Sequence, residues 1–308
     1  MKKIRIFKNR GDIYIPSADL KADKEKRILL IALAFIIVFT IVFLFIFGIK
    51  YDFSVKKFFT PENIEKKNEE IIEQLPEVSG KTNYLFVLSN KNTNEMFFCS
   101  LIQVDMDTVS YKSSCLSAET QIDGKKISEI YKISGAGGVL NELNGYLGVN
   151  IDYYIDESFE DYKDMFNAMG SVNYTVLSDI KYKDTSRYGY NIKIKSGERK
   201  FDGDTATKLL RYYVEQEQNF SAANDFILAA LTQQISSESY EKREALFSKF
   251  IECSQTNITV KNFTLGINAM KVLSSPTTGV NVYSVPVKYE GNILTTSSID
   301  EIKGYFMK

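Results

Sequence analysis

Residues 28–49, ILLIALAFIIVFTIVFLFIFGI, run for 22 positions without a charged side chain. At about 1.5 Å per residue, a helix of that length crosses the roughly 30 Å hydrocarbon core of a bilayer. A cleaved signal peptide would have a shorter apolar core, about 7–15 residues, followed by small residues at a cleavage site; no such site follows here. The run predicts one uncleaved transmembrane helix. Nine Lys and Arg residues precede it, against five in residues 50–69. That bias puts residues 1–27 on the cytoplasmic side and the larger part of the chain outside the plasma membrane.

Charge and residue usage narrow the chemistry. Residues 51–308 hold 28 basic and 35 acidic side chains, a net charge of −7. A nucleic-acid binder is expected to carry the opposite sign, so any phosphate site here has to be local. The chain has no histidine, which removes the Ser/His/Asp and Cys/His nucleophile systems and the commonest metal ligand. Cys99, Cys115 and Cys253 lack the spacing of a zinc or redox motif.

The outer part alternates between strand and helix patterns. TPENIEKKNEEIIEQLPEVSG predicts a capped stalk helix, so residues 50–81 read as stalk and linker and 82–308 as the main domain. NYLFVLSN, MFFCSLIQVD and TVSYKSSCLS predict strands, the last two as a hairpin turning around Asp105–Thr108. If that hairpin closes through two or three residues, Cys99 faces Ser114 or Cys115, and a Cys99–Cys115 disulfide competes with buried free thiols. SGAGG lacks the Lys-Ser/Thr of a phosphate loop and reads as a tight turn into a helix. Ser158 caps a helix ending at Gly170; Asp202 or Asp204 caps another. In that second helix Ala206, Leu209, Leu210, Tyr213 and Val214 share the core face, and Arg211 lies off it. Ser298 and Glu301 have capping-box spacing at the last helix. The whole predicts an α/β architecture with a sheet covered by helices.

Several ordered segments resemble the LytR-CpsA-Psr (LCP) family of envelope proteins. KKISEIYKISGAGG resembles that family's Lys-Ile-Asn-X-X-Tyr…Gly-Gly entry. LGVNIDYYIDESFEDYKDMFNAMGSVNYTV is similar to its Leu-Gly-Ile-X-Ile-Asp-Tyr-Tyr…Leu-Gly-Gly-Val stretch, and IKSGERKFDGDTATKLLRYY to its Leu-Asp-Gly…Tyr-X-Arg-X-Arg stretch. The likeness covers about residues 82–308. It implies an α-β-α layered domain with a central mixed sheet, behind one N-terminal transmembrane helix. It implies transfer of a glycopolymer phosphate from a polyprenyl pyrophosphate to peptidoglycan or protein. In such a site arginines hold the pyrophosphate, aspartates hold Mg²⁺, and the lipid lies in an apolar pocket beneath the sheet.

The site positions depart from that pattern. The family's Pro-Arg-Asp-Thr is SAET here, with Ala118 for the arginine and Glu119 for the aspartate. Its Arg-Ser-Asp-Thr falls on EMFF, around Phe97. Of Arg-X-Arg only Arg211 remains, with Tyr213 as its partner, and the next arginine-bearing segment falls on NFSAANDF. Arg211 is the one pyrophosphate-binding candidate, and Glu119 is the one metal ligand, if any. Three functions stay open: a degenerate member that binds polyprenyl-linked wall glycopolymer without turnover, an Mg²⁺-dependent phosphotransferase, and a non-catalytic membrane scaffold or regulator.

Overall fold

The computed structural model describes residues 75–90, 92–185 and 189–307. The predicted transmembrane helix and most of the stalk lie outside them. Among the described residues no helix is long and apolar enough to cross a membrane. The elements are, in order, β1 (Lys81–Asn90), β2 (Glu95–Asp105), β3 (Ser110–Ser117), β4 (Gln121–Ile122), β5 (Lys125–Lys126), α1 (Ile127–Leu147), β6 (Tyr153–Ser158), α2 (Phe159–Met169), β7 (Val172–Val176), β8 (Ile180–Lys183), β9 (Asn191–Ile194), β10 (Gly197–Phe201) and α3 (Gly203–Arg211). A π-helical turn, Tyr212–Gln216, follows. Then come α4 (Phe220–Gln234), α5 (Ser237–Glu241), α6 (Arg243–Cys253), β11 (Gln255–Thr256), α7 (Val260–Ser274), β12 (Asn281–Ser284), β13 (Tyr289–Glu290), β14 (Ile293–Leu294) and α8 (Thr296–Phe306).

Six strands form a mixed sheet in the order β11-β6-β1-β2-β3-β12. β1, β2 and β3 are a meander of antiparallel neighbours; β6 runs parallel to β1, and β12 parallel to β3. Successive side chains of a strand point to opposite faces, so each central strand feeds two cores. Leu85, Val87, Cys99, Leu101 and Leu116 pack against α1 and α8, through Val139, Leu143, Ile302 and Phe306. Phe86, Leu88, Phe98 and Cys115 pack against α2, α3 and α4, through Phe166, Leu209, Leu210 and Phe226. The result is a sheet with helices on both faces, the α/β layering that the strand and helix alternation predicts.

The β2–β3 register opposes Cys99 to Leu116 and Cys115 to Ser100. The one-residue offset sends the two sulfurs into different cores, and all three cysteines are buried free thiols. The disulfide expectation is corrected by the pleat: a bond cannot join side chains on opposite faces.

Local chemistry accounts for the element ends. The hairpin turns at Asp105 as expected, its Oδ1 accepting from the amides of Asp107 and Thr108. α1 begins eight residues before Gly135, because the Glu129 carboxylate reaches back to the Lys126 amide. Gly135, at φ 63°, then kinks the helix instead of opening it. Asp202, and not Asp204, caps α3 by accepting from the Thr205 amide at 2.8 Å. α8 is capped by Thr295, which accepts from Ser298, so the expected Ser298 cap is one turn too late. A polar chain crosses one end of the sheet on the α8 side. Lys112 donates to Gln103 and Asp105, Gln103 to Asn83, and Asn83 to the carbonyls of Asn150 and Phe306, all at 2.8–2.9 Å.

β6 ends in two buried carboxylates. Asp156 accepts from Ser89 and Tyr131. Glu157, 4% exposed, accepts from Ser254 at 2.7 Å. Burial pushes the Glu157 carboxyl up to about 7, opposed by the Ser254 bond and reinforced by the nearby charges of Asp161 and Asp156.

Two predictions follow from this packing. Mass analysis of unfolded, unreduced protein finds three alkylatable thiols; a mass lower by two hydrogens on one species refutes the register. For Glu157, the native state holds its proton more tightly than the unfolded chain, whose carboxyl titrates near 4.3. Its contribution is therefore whole below about pH 4.3 and is lost as pH rises through 7, a difference on the order of 3 kcal/mol. Glu157→Gln should raise the thermal midpoint at pH 8 and leave it nearly unchanged at pH 4.5.

Candidate functional site

Arg211 is the last residue of α3, and the π-helical turn after it sets the position of Glu215. The guanidinium is clasped by that carboxylate, Nε to Oε1 at 2.7 Å and Nη2 to Oε2 at 3.3 Å. Three rings box it: Tyr190 and Phe159 at 4.3 and 4.4 Å from the ring centres, and Phe97 at 5.4 Å. The two side chains are only 12% and 20% exposed. Burial raises the Glu215 carboxyl, and the Arg211 bond and charge oppose that rise. Aromatic faces favour a cation, and a two-point fork fixes it in place. The positive charge of Arg211 is therefore largely met from within the protein.

A shallow cleft of about 280 Å³ opens beside this box. Lys163, Lys208 and Arg211 line it together with Glu160 and Asp204. Lys208 is paired with Asp204 one turn back on α3. Three cations meet here, but two have carboxylate partners, so the cleft does not concentrate positive charge.

A second cleft, about 440 Å³, lies at the end of β3 between the start of α4 and the β12–β14 region. Glu119, Thr120, Asn219, Ser221 and Asn224 line it, with Phe220 and Tyr289 as its aromatic walls. The Tyr289 hydroxyl accepts from the Ser117 amide and from Thr120 Oγ1, each at 3.1 Å, and so ties the β13–β14 hairpin to the turn after β3. Among the described residues lining this cleft there is no Lys or Arg. Its one carboxylate, Glu119, is half exposed and ion-paired with Lys126.

A third opening is apolar. It holds about 530 Å³ between the sheet and the pair α6 and α7, lined by Tyr84, Tyr153, Phe247, Phe250, Phe263 and Met270 among others. Phe247 and Phe263 stack at 4.2 Å. This groove touches the first residues of β1, whereas the polar cleft touches the last residues of β3, at the opposite end of the strands.

Residues 77–306 match the model of the LytR_cpsA_psr family. The chain belongs to the LytR-CpsA-Psr family. A curated relative is the polyisoprenyl-teichoic acid–peptidoglycan teichoic acid transferase TagV of Bacillus subtilis, 25% identical over 181 residues. That match covers 56% of this chain and 46% of TagV, so the chain spans about half the length of this relative. The crystal structure of B. subtilis TagV superposes with a TM-score of 0.59 at 18% identity, over 74% of this chain and 96% of that one. A Eubacterium siraeum protein described as a transcription regulator superposes at 0.65 and 20% identity, over 76% and 96% of the two chains. These likenesses establish the fold: a mixed α/β domain about a central mixed sheet.

The positions that the family resemblance singles out line two different clefts or none. Glu119 lines the polar cleft, while Arg211 lines the shallow one, and the two clefts share no lining residue. Ala118 is buried, its carbonyl accepting from the Ser128 amide, and supplies backbone only. Phe97 stacks on Phe159 at 4.3 Å and forms a wall of the arginine box. Tyr213 is a core residue, 6% exposed. The residues present also do not fit the Mg²⁺ that the family resemblance implies. Among the described residues no three His, Cys, Asp or Glu side chains gather as a metal ligand set, and Glu119 is engaged by Lys126. Sequence reasoning missed Asn224, Phe220 and Tyr289. The available signal was an Asn in the helical turn just before the apolar run FILAAL, where a buried amide needs a reason.

If Arg211 and Glu215 serve each other, Arg211→Met destabilises by about 2 kcal/mol by stranding a partly buried carboxylate. Arg211→Met with Glu215→Met then recovers most of the loss. A double-mutant cycle by urea denaturation should give a coupling above about 1 kcal/mol; a coupling near zero would show that the pair is idle.

Proposed function

We propose that this chain is a membrane-anchored, extracytoplasmic envelope protein that binds polyprenyl-linked wall glycopolymer without transferring it. The carrying observation is the charge state of the two clefts. A pyrophosphate leaving group needs cationic forks or a metal to take up its developing charge. Here the cleft built from the family's site segments has no cation among its described lining residues, and the retained arginine is held by Glu215. TagV, by its name, moves teichoic acid from a polyisoprenyl carrier to peptidoglycan; the shared family supports a ligand of that general kind. The apolar groove between the sheet and α6–α7 suits a prenyl chain, with Leu265 72% exposed at its rim. Residues 28–49 are the proposed anchor, with the N-terminal tail in the cytoplasm.

An active phosphotransferase is the second reading. The meeting of Lys163, Lys208 and Arg211 in the shallow cleft favours it.

The test uses the full chain in detergent micelles or nanodiscs, with polyprenyl pyrophosphate and a peptidoglycan acceptor, with and without Mg²⁺. The expected result is saturable lipid binding that Phe263→Glu weakens at least tenfold, with no phosphate release in either condition. Mg²⁺-dependent release that Arg211→Ala abolishes would instead establish the transferase.

A further inference from the structure

The central sheet ends in two unlike edges. β11 closes one of them and is only two residues long. β12, Asn281–Ser284, forms the other, and each of its residues is exposed. It pairs with β3 on one side; among the described residues no strand pairs with its other side. The Asn281 amide donates to the Val109 carbonyl at 3.0 Å, and the Val285 amide to the Ser113 carbonyl at 2.8 Å. Bonding alternates along a parallel ladder. Asn281, Tyr283 and Val285 therefore serve β3, while Val282 and Ser284 turn their N–H and C=O groups outward. An open row of this kind is a template for another strand.

Edges are usually blunted by charge, proline or a bulge. β12 has no charge and no proline, and its register with β3 runs without a shift. No charged side chain stands anywhere between Lys271 and Lys288. Val282 and Tyr283 are 48% and 42% exposed. Tyr305 on α8, 38% exposed, sets its ring centre 6.3 Å from that of Tyr283 and widens the apolar surface.

Charge selects the occupant. Residues 51–308 carry a net charge of −7, so two copies repel on average. In a two-fold contact the residues near the axis meet their own copies, and any charge there faces its like. The uncharged run around β12 is where that repulsion is absent. A strongly basic or acidic partner strand, by contrast, finds no opposite charge on β12 to select it.

We propose that β12 pairs antiparallel with β12 of a second copy of this chain, about a two-fold axis at Tyr283, and so joins two six-stranded sheets into one. Val282 of each copy exchanges both backbone bonds with Ser284 of the other. Tyr283 meets Tyr283 as a non-bonded pair, with Cα atoms about 4.5 Å apart. The two rings then lie together on the α8 face, beside both copies of Tyr305. The strand is short, so the association is reversible and depends on concentration. Val282 and Tyr283 line none of the three openings described above, so changes there test the edge without touching the clefts.

The test uses the full chain in detergent micelles. Light scattering during size exclusion should give twice the protomer's protein mass, falling to the protomer's on dilution. Val282→Pro removes an outward N–H and keeps every donor to β3. Tyr283→Lys sets like charges directly opposite each other at an exposed position, where folding is not at stake. Each should weaken association at least tenfold. Under air oxidation, Tyr283→Cys should form an intermolecular disulfide. Asn281→Cys on the same strand should not, because this register holds its two copies about 13 Å apart. A chain that keeps the protomer's mass at every concentration, with the Tyr283→Cys thiol left reduced, overturns the inference. So does a dimer that both Val282→Pro and Tyr283→Lys leave intact, or one that Asn281→Cys cross-links in preference to Tyr283→Cys. A Tyr283→Cys disulfide to a different protein in native membranes overturns it as well.

Discussion

The pleat of the central sheet is the constraint on which the rest of this protein depends. Each strand of the β1–β2–β3 meander alternates between two apolar cores, so register decides which face every side chain serves. Cys99 goes to the α1–α8 side and Cys115 to the α4 side because their paired positions differ by one residue. The same alternation sends Gln103 and Lys112 to the α8 side, where they complete the polar chain to Asn83. It also brings Cys115 and Ser117 to the rim of the polar cleft. A slip of one residue would exchange the cores and dismantle the cleft together.

Placed on that frame, two clefts carry different chemistry. Arg211 closes a box of Phe97, Phe159, Tyr190 and Glu215, in which ring faces and a carboxylate both favour the cation. That arrangement fastens α3 to β2 and α2. The polar cleft is lined by amides, hydroxyls, two rings and the Glu119 carboxylate. Such a surface selects by hydrogen-bond complementarity and gives little stabilisation to a developing phosphoryl charge.

Much of the architecture was legible because it is local. Strand alternation located β1, β2 and β3, and helical spacing placed Leu209, Leu210 and Tyr213 in the core. Caps were legible where side-chain chemistry is unambiguous, as at Ser158 and Gly148. They were misplaced where two residues compete, as Thr295 and Ser298 do at α8. The site was legible only as a set of departures from a motif. Glu215 stands four residues after Arg211, a spacing that offers an ion pair, but nothing in the order of residues tells that Phe97, Phe159 and Tyr190 close around it.

The sequence by itself determined that the chain carries a 22-residue apolar run, an acidic stretch after it and an α/β pattern of the LytR-CpsA-Psr kind. It determined also that the chain has no histidine. Only the tertiary structure decided that Arg211 and Glu119 face different clefts, that the cysteines lie on opposite sides of the sheet, and that Asn224 is tied to Ser113 and Ser284. The reason is physical: composition and periodicity are read along the chain. Whether a charge is free or already answered depends on groups brought within a few ångströms from elements that may be a hundred residues apart, as Asn224 is from Ser113.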